Sequence, residues 1–362
     1  MTFVELFFDL VFVFSVTQVV GLLHDGITLE AIGRAILVFW LVWWGWTQFT
    51  WALNAADTTN PLVELGTLGA TAVAFFMAVA VPDAFGSAPL AFAVPYVLVR
   101  GIGLGLYVVV AARNEGQLEP VRRFSILSLG GLLAVVLGAV AGGSAQYALW
   151  GLGIVLDIIA TSVGGQSENW DLHPEHFGER HGLFVIIALG ETLIVAAGGV
   201  AGAERTGELV AVSIMAVALT CALWWTYFTR AKPILDDALD ALRGARQSAL
   251  GRDAFSLLHF PMVCGVIAYA AAIEAAVAHP ADPLGVESRL ALAVGVVLFV
   301  GGMALALWRA TGRLPVLRTS MTVATAVAVA VVGGVSPIVT LALALAGVAA
   351  VAFLEERHWS TA

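Results

Sequence analysis

The chain has 362 residues, 60% of them hydrophobic and 12% charged, with 17 Lys plus Arg against 26 Asp plus Glu. Soluble domains carry about a quarter charged residues, so a water-soluble protein of this length is excluded and lipid must solvate part of the surface. The formal charge of −9, with no basic stripe interleaved with aromatics, also excludes a nucleic-acid partner.

A spanning helix needs about 20 mostly apolar residues. Such runs lie near 4–23, 31–53, 63–81, 88–112, 124–143, 146–164, 181–200, 208–228, 255–278, 287–308, 317–334 and 337–354. The predicted fold class is therefore an all-α integral membrane protein of about twelve transmembrane helices. The first run contains acids and lacks a basic leader, so it reads as a retained helix and not as a cleaved signal peptide. Cys221 and Cys264 both fall in apolar runs and read as small core residues.

In chain order, the polar residues inside these runs are the candidates for function, because ionisable groups in lipid are costly and turn inward to partners. Glu5 and Asp9 stand one helical turn apart in the first span. Both are candidates for binding a cation or proton, with Glu5 also placed to favour the positive helix N-terminus. Glu64 opens the third span, Arg100 is central in the fourth, Asp157 lies in the sixth, and Glu191 is central in the seventh. Arg100 and Glu191 have similar depth and are expected to pair. The segment LHPEHFGERH reads as a loop carrying His173, His176 and His181 with Glu175 and Glu179. Its spacing matches no established zinc signature, and His181 reads as a member of a hydrogen-bond or proton network. His259 opens the ninth span.

Residues 230–252 read as a solvated amphipathic helix in which acids alternate with arginines. They include Asp236, Asp237 and Asp240 in a DDxxD pattern, and Asp57 follows the second span. Under an enzymatic alternative, these four acids would hold Mg²⁺ on a diphosphate, since a hard cation takes carboxylate oxygens and bridges phosphates. No other cofactor is expected.

The chain reads as two parallel six-helix repeats, residues 1–165 and 166–362, with a cytoplasmic linker at about 229–254 in the second. WWGWTQFT (43–50) returns as WWTYFT (224–229). An Arg-led span ending in Gly142-Gly143 returns as one led by Arg318 and ending in Gly333-Gly334. The register sets Glu5 opposite His181 and Glu64 opposite His259. Basic residues gather on one side: Arg113, Arg122, Arg123, Arg180, Arg230, Lys232, Arg243, Arg246, Arg252, Arg309, Arg313, Arg318 and Arg357, against Arg34, Arg205 and Arg289. That asymmetry places both termini in the cytoplasm of a multi-pass protein of the cell membrane.

VELFFDLVFVFSVTQV (4–19) and HFGERHGLFVIIALGETLIV (176–195) closely resemble the two hallmark stretches of the bacterial low temperature requirement protein A family. The pattern of Trp43, Trp44, Thr50, Trp51, Asn54 and Asp57 and the WWxYF of the eighth span fit as well. The resemblance covers nearly the whole chain and implies the membrane class. Members often carry an acid shortly after WWxYF, where this chain has Thr229. The family name records a cold-growth phenotype and implies no mechanism. Glu5, Phe7, Asp9, Val11, Phe12 and Thr17 also match, in spacing, the first helix of a lysosomal potassium-channel family built from six-helix repeats.

Three functions follow as expectations. The first is a transporter or channel for a small cation, proton or polar solute, with Glu5, Asp9, Glu64, Arg100, Asp157, His181, Glu191 and His259 as binding or relay residues. The second is an intramembrane enzyme acting on an isoprenoid diphosphate-like amphiphile with Mg²⁺. The third is a non-catalytic membrane component that supports the envelope in the cold. The expected partners are the lipid bilayer and a small ion or solute, with a homo-oligomer left open.

Overall fold

A computed structural model describes residues 2–56, 60–113, 116–164, 172–200 and 206–359. Among the described residues every regular element is helical. In chain order the helices are α1 (Phe3–Gly21), α2 (Leu29–Asn54), α3 (Pro61–Val79), α4 (Pro89–Ala111), α5 (Leu118–Ala141), α6 (Gly143–Gly164), α7 (Pro174–Val200), α8 (Gly207–Asp240), α9 (Gly244–Ala278), α10 (Val286–Thr311), α11 (Val316–Val331) and α12 (Pro337–Trp359). Eleven of them are long and apolar enough to cross a bilayer, and α11 is a shorter apolar helix. The chain is thus an all-α, multi-pass membrane protein.

Helix packing divides the chain into two compact units. Unit 1 is Met1–Leu22, Glu30–Arg180 and Leu239–Arg252; unit 2 is Leu23–Leu29, His181–Ala238 and Asp253–Ala362. In unit 1, α1 packs on α3, α3 on α4, α4 on α5 and α5 on α6. In unit 2, α9 packs on α10, α10 on α11, α11 on α12, and α12 on α8.

The helices face lipid with aliphatic stripes and each unit's interior with polar and aromatic groups. On α5, Ile126, Leu129, Leu133, Leu137 and Val140 recur at helical spacing and are exposed, while Ser128 and Val135 on the other face are buried. Tryptophans 43, 44 and 46 of α2 are buried in the core of unit 1. With no water in the hydrocarbon layer, backbone polar groups must be satisfied within the helices, and most of each helix obeys this.

Glycines set the closest crossings. A Cβ on Gly131 would lie 3.2 Å from the Gly153 carbonyl, and one on Gly153 would lie 3.2 Å from that of Gly131. This reciprocal contact presses α5 against α6, and Gly142 and Gly143, both with positive φ, make the tight turn between them. Gly265 and Gly295 do the same for α9 and α10, at 2.7 and 2.9 Å.

Two boundaries differ from the apolar runs. Helix α7 begins at Pro174 and not near 181, so most of the segment expected to be a loop is helical. Pro174 at the first position and Glu175 in the first turn suit a helix start. The linker expected at 229–254 is also largely helical. Helix α8 runs on to Asp240, and α9 restarts at Gly244. Leu235 and Leu239 of this extension are buried while Asp237 and Asp240 are exposed, which is the amphipathic face expected of it.

Candidate functional site

The acidic pair of α1 is buried in unit 1. Glu5 and Asp9 are both 0% exposed. Thr2 donates to Glu5 Oε2 from its N–H and its hydroxyl, each at 2.9 Å, so Glu5 helps start α1. His176 Nε2, in the first turns of α7, lies 3.2 Å from the same oxygen; Oε1 is 3.0 Å from His176 Nε2 and 3.6 Å from Arg180 Nη1 but makes no hydrogen bond among the described residues. Asp9 Oδ1 accepts from Arg180 Nη2 at 2.6 Å and from Trp46 Nε1 at 2.7 Å. The Arg180 guanidinium also sits 5.7 Å from the centre of the Trp46 ring, close enough for a cation–π contact.

Asn54 at the end of α2 fixes the approach of α7. Its side-chain oxygen accepts the His173 N–H at 2.8 Å and its amide donates to the His173 carbonyl at 2.9 Å. The same amide nitrogen stands 3.4 Å from His176 Nδ1. A donor facing Nδ1 makes that atom an acceptor, so the neutral ring carries its proton on Nε2 and gives it to Glu5. The set holds two carboxyl groups and one imidazole against a single guanidinium. Asp9 Oδ2 accepts no hydrogen bond among the described residues. The His176 side chain is 21% exposed, while those of Glu5, Asp9 and Arg180 are closed off.

A second charged pair in unit 1 has the opposite character. Arg100 of α4 and Asp157 of α6 are both buried, and two parallel bonds join them at 2.9 and 3.1 Å. Arg100 also donates to the Tyr96 hydroxyl at 3.0 Å. This bidentate pair is neutral and dry. It corrects the expected Arg100–Glu191 pairing: depth in the membrane shows which residues are level, but not which helices are neighbours.

Unit 2 holds an aromatic and imidazole cluster. His181 and His259 rings lie 5.4 Å apart, and His259 stacks on Phe255 at 5.4 Å. His259 Nδ1 donates to the Ala254 carbonyl at 2.9 Å, which leaves Nε2 of the neutral ring to accept the Tyr227 hydroxyl at 2.7 Å. Both flanking stretches are π-helical, Tyr227–Ala231 in α8 and Gly251–Leu257 in α9. Each widened turn re-aims the side chains that meet there, a use of π-bulges common at functional sites. Glu191 of α7 is also buried in this unit, at 7% exposure, and makes no ion pair with a described side chain. Its neighbour Thr192 joins Thr220 at 3.2 Å, and Thr220 joins the Tyr269 hydroxyl at 2.8 Å.

Comparison with known proteins places this architecture. The family model of the bacterial low temperature requirement A protein (LtrA) matches residues 1–353. The chain belongs to the LtrA family. It is also 28% identical over 314 residues to a protein of Rhizobium meliloti (strain 1021) described as uncharacterized, covering 83% of this chain and 75% of that relative. No solved structure matches.

In this LtrA member, the residues singled out in the sequence fall into separate groups. Glu5 and Asp9 come together, as do Arg100 with Asp157 and His181 with His259. Glu64 is exposed in the first turn of α3, beside its N-cap Asn60, and joins no buried site. Asp57 lies outside the described residues. Asp236 pairs with Lys232, and Asp237 and Asp240 are exposed. Among the described residues no group of three histidines, cysteines or acids has metal-binding geometry.

Sequence reasoning missed Arg180, Trp46, Tyr96 and Tyr227. Arg180 falls in the segment read as a loop, yet it bonds Asp9 and stands 3.6 Å from Glu5. The signal was its spacing: His176 and Arg180 are four residues apart and share a face once Pro174 starts the helix.

Proposed function

We propose that this LtrA-family protein moves a proton or small cation across the cell membrane, and that the group of Glu5, Asp9, His176 and Arg180 is where the cation is held. The observation that carries the reading is the charge balance. Two closed-off carboxylates share one guanidinium, and the remaining negative charge sits where desolvation makes it costly. One proton or one monovalent cation at Asp9 Oδ2 relieves it. His176, partly exposed and bonded to Glu5, supplies a route from water.

The basic residues that flank the helices, Arg113, Arg122, Arg123, Arg243, Arg246 and Arg313 among them, support a cytoplasmic position for both termini. The chain carries one six-helix unit twice in this reading. The two Trp-Trp motifs support it: laid on one another they match Trp46 to Tyr227, and each of these donates to a buried partner in its own unit. One counterpart differs, since Glu64 is exposed where His259 is buried.

The test is purified protein in liposomes, with ion and proton flux recorded under imposed gradients for wild type and Asp9→Asn. Wild type is expected to pass a cation or protons and Asp9→Asn to lose at least tenfold in rate. Absence of flux in wild type under all gradients, or equal flux in the variant, refutes the reading.

A further inference from the structure

A cleft of about 460 Å³ opens in unit 2 where α8, α10, α11 and α12 meet. Its charged lining is Arg230, Arg313, Arg318 and Glu355, and its apolar lining includes Ile234, Leu307, Leu314 and Leu317. The two kinds of residue do different work.

Arg318 is already satisfied. Its Nε and Nη2 donate to the two oxygens of Glu355 at 2.8 and 2.6 Å, and its Nη1 reaches Met303 Sδ at 3.4 Å. The pair is nearly closed to water, with the Arg318 side chain at 0% and that of Glu355 at 12% exposure. It cancels its own charge and forms the inner wall. Arg230 and Arg313 have no acid beside them among the described residues, and both line the cleft. The described lining therefore carries a net charge of +2.

The backbone adds to this. Gly312, with φ +71°, ends α10, and Thr311 bonds both the N–H and the carbonyl of Arg313. That turn fixes Arg313 at the rim. The first turn of α11, from Val316 to Arg318, also lines the cleft. Helix N-termini carry partial positive charge and unpaired N–H groups, a setting that favours anions.

Arg313 follows the end of α10, Arg318 lies in the first turn of α11 and Glu355 lies near the end of α12. Trp308 one turn before the end of α10 is half-exposed, as suits a tryptophan at the headgroup level. A ligand here meets two free guanidiniums on one side and aliphatic side chains on the other.

We infer that this cleft binds the phosphate headgroup of an anionic phospholipid, with the phosphate between Arg230 and Arg313 and the start of an acyl chain along Ile234, Leu307 and Leu317. Guanidinium–phosphate bonds are strong and directional, and basic clefts at helix ends on the cytoplasmic side are suited to lipid headgroups. The inference does not depend on the transport reading.

The full-length protein in mild detergent is titrated with phosphatidylglycerol or phosphatidylcholine, and retained lipid is counted by native mass spectrometry. Wild type is expected to retain phosphatidylglycerol at least fivefold over phosphatidylcholine. Arg230→Gln with Arg313→Gln is expected to abolish that preference while the thermal midpoint in lipid-free detergent stays unchanged, because neither guanidinium has a carboxylate partner to lose. Inorganic phosphate at millimolar concentration is expected to leave the retained lipid in place. Equal retention of the two lipids, an unchanged preference in the double variant, or full displacement by inorganic phosphate overturns the lipid assignment; the last outcome marks a soluble phosphate as the occupant.

Discussion

Removing the carboxylate of Asp157 tests the physical account of unit 1 most directly. Arg100 is fully buried, and Asp157 supplies two of its three side-chain hydrogen bonds, the Tyr96 hydroxyl supplying the third. In Asp157→Asn the guanidinium stays charged and buried without a counter-charge. Breaking a buried pair on one side costs about 3–5 kcal/mol, or roughly a hundred- to several-thousand-fold in the folded ratio at 1.4 kcal/mol per tenfold. Replacing both partners with apolar residues of similar size, Arg100→Met with Asp157→Leu, removes the charge and the desolvation together and costs about 1 kcal/mol or less. The assay is a double-mutant cycle on chemical unfolding in detergent micelles. The coupling energy is expected to exceed about 2 kcal/mol, and the double variant is expected to keep flux in liposomes. A loss below about 1 kcal/mol in Asp157→Asn, or a double variant less stable than either single one, refutes the account. A stable double variant without flux would move the pair into the functional site.

Three further outcomes are expected. Gly265→Ala places a Cβ 2.7 Å from both the Gly295 carbonyl and the Phe299 N–H; backbone cannot yield cheaply, so the loss is about 1–3 kcal/mol, whereas Gly101→Ala, which meets nothing within 4 Å, is neutral or stabilising by up to about 1 kcal/mol; thermal unfolding in detergent compares them. Tyr227→Phe leaves His259 Nε2 buried without its donor and is expected to cost about 1–3 kcal/mol, measured by the same unfolding, while Phe228→Leu beside it serves as a packing control. His24, in the connection between α1 and α2, is held above its ordinary pKa by its hydrogen bond to Glu274 at 2.6 Å. A raised folded pKa gives stability that is complete below the unfolded value near 6.5 and is lost as pH rises through the folded one. Midpoints measured from pH 5 to 9 should therefore fall slightly in wild type and not in His24→Gln; the effect is small because the His24 side chain is 67% exposed.

The spans were legible because lipid imposes a length and a composition on each helix, and α1 to α12 follow the apolar runs. The failures have one physical origin. A composition rule treats a polar residue as water-facing, but pairing makes it buriable. The segment PEHFGERH (174–181) carries three titratable side chains before its Arg-His end, so hydropathy places it in a loop; in the folded chain it is the start of α7, with Arg180 on Asp9 and His176 on Glu5. The same rule counts Arg180 and Arg318 among loop charges, although both are buried against carboxylates. Glu64 fails in the other direction: an acid in the first turn after an Asn cap favours the helix dipole and needs no partner. The π-helical stretches at Tyr227 and Gly251 carry no compositional signal, because they arise from the contacts they serve.

Unit 1 buries two arginines, and the contrast between them is what separates scaffold from site. Arg100 meets one carboxylate in a bidentate bond, and the pair is neutral and closed to water. Both carboxylate oxygens of that pair are taken up by the one guanidinium, so its value lies in holding α4 to α6. Arg180 is divided between two carboxylates on one helix: it bonds Asp9 Oδ1 and stands off from Glu5 at 3.6 Å. Its Nη1 and Nε make no hydrogen bond among the described residues, and neither does Asp9 Oδ2. Charge balance gives no reason to keep a second acid beside Arg180, since one carboxylate would neutralise it as Asp157 does Arg100; Glu5 also caps α1 through Thr2. Asp9→Asn should thus be tolerated by the fold better than Asp157→Asn, because Glu5 remains to balance Arg180, while costing more in flux. The two variants, compared in one unfolding assay and one flux assay, should rank in opposite orders.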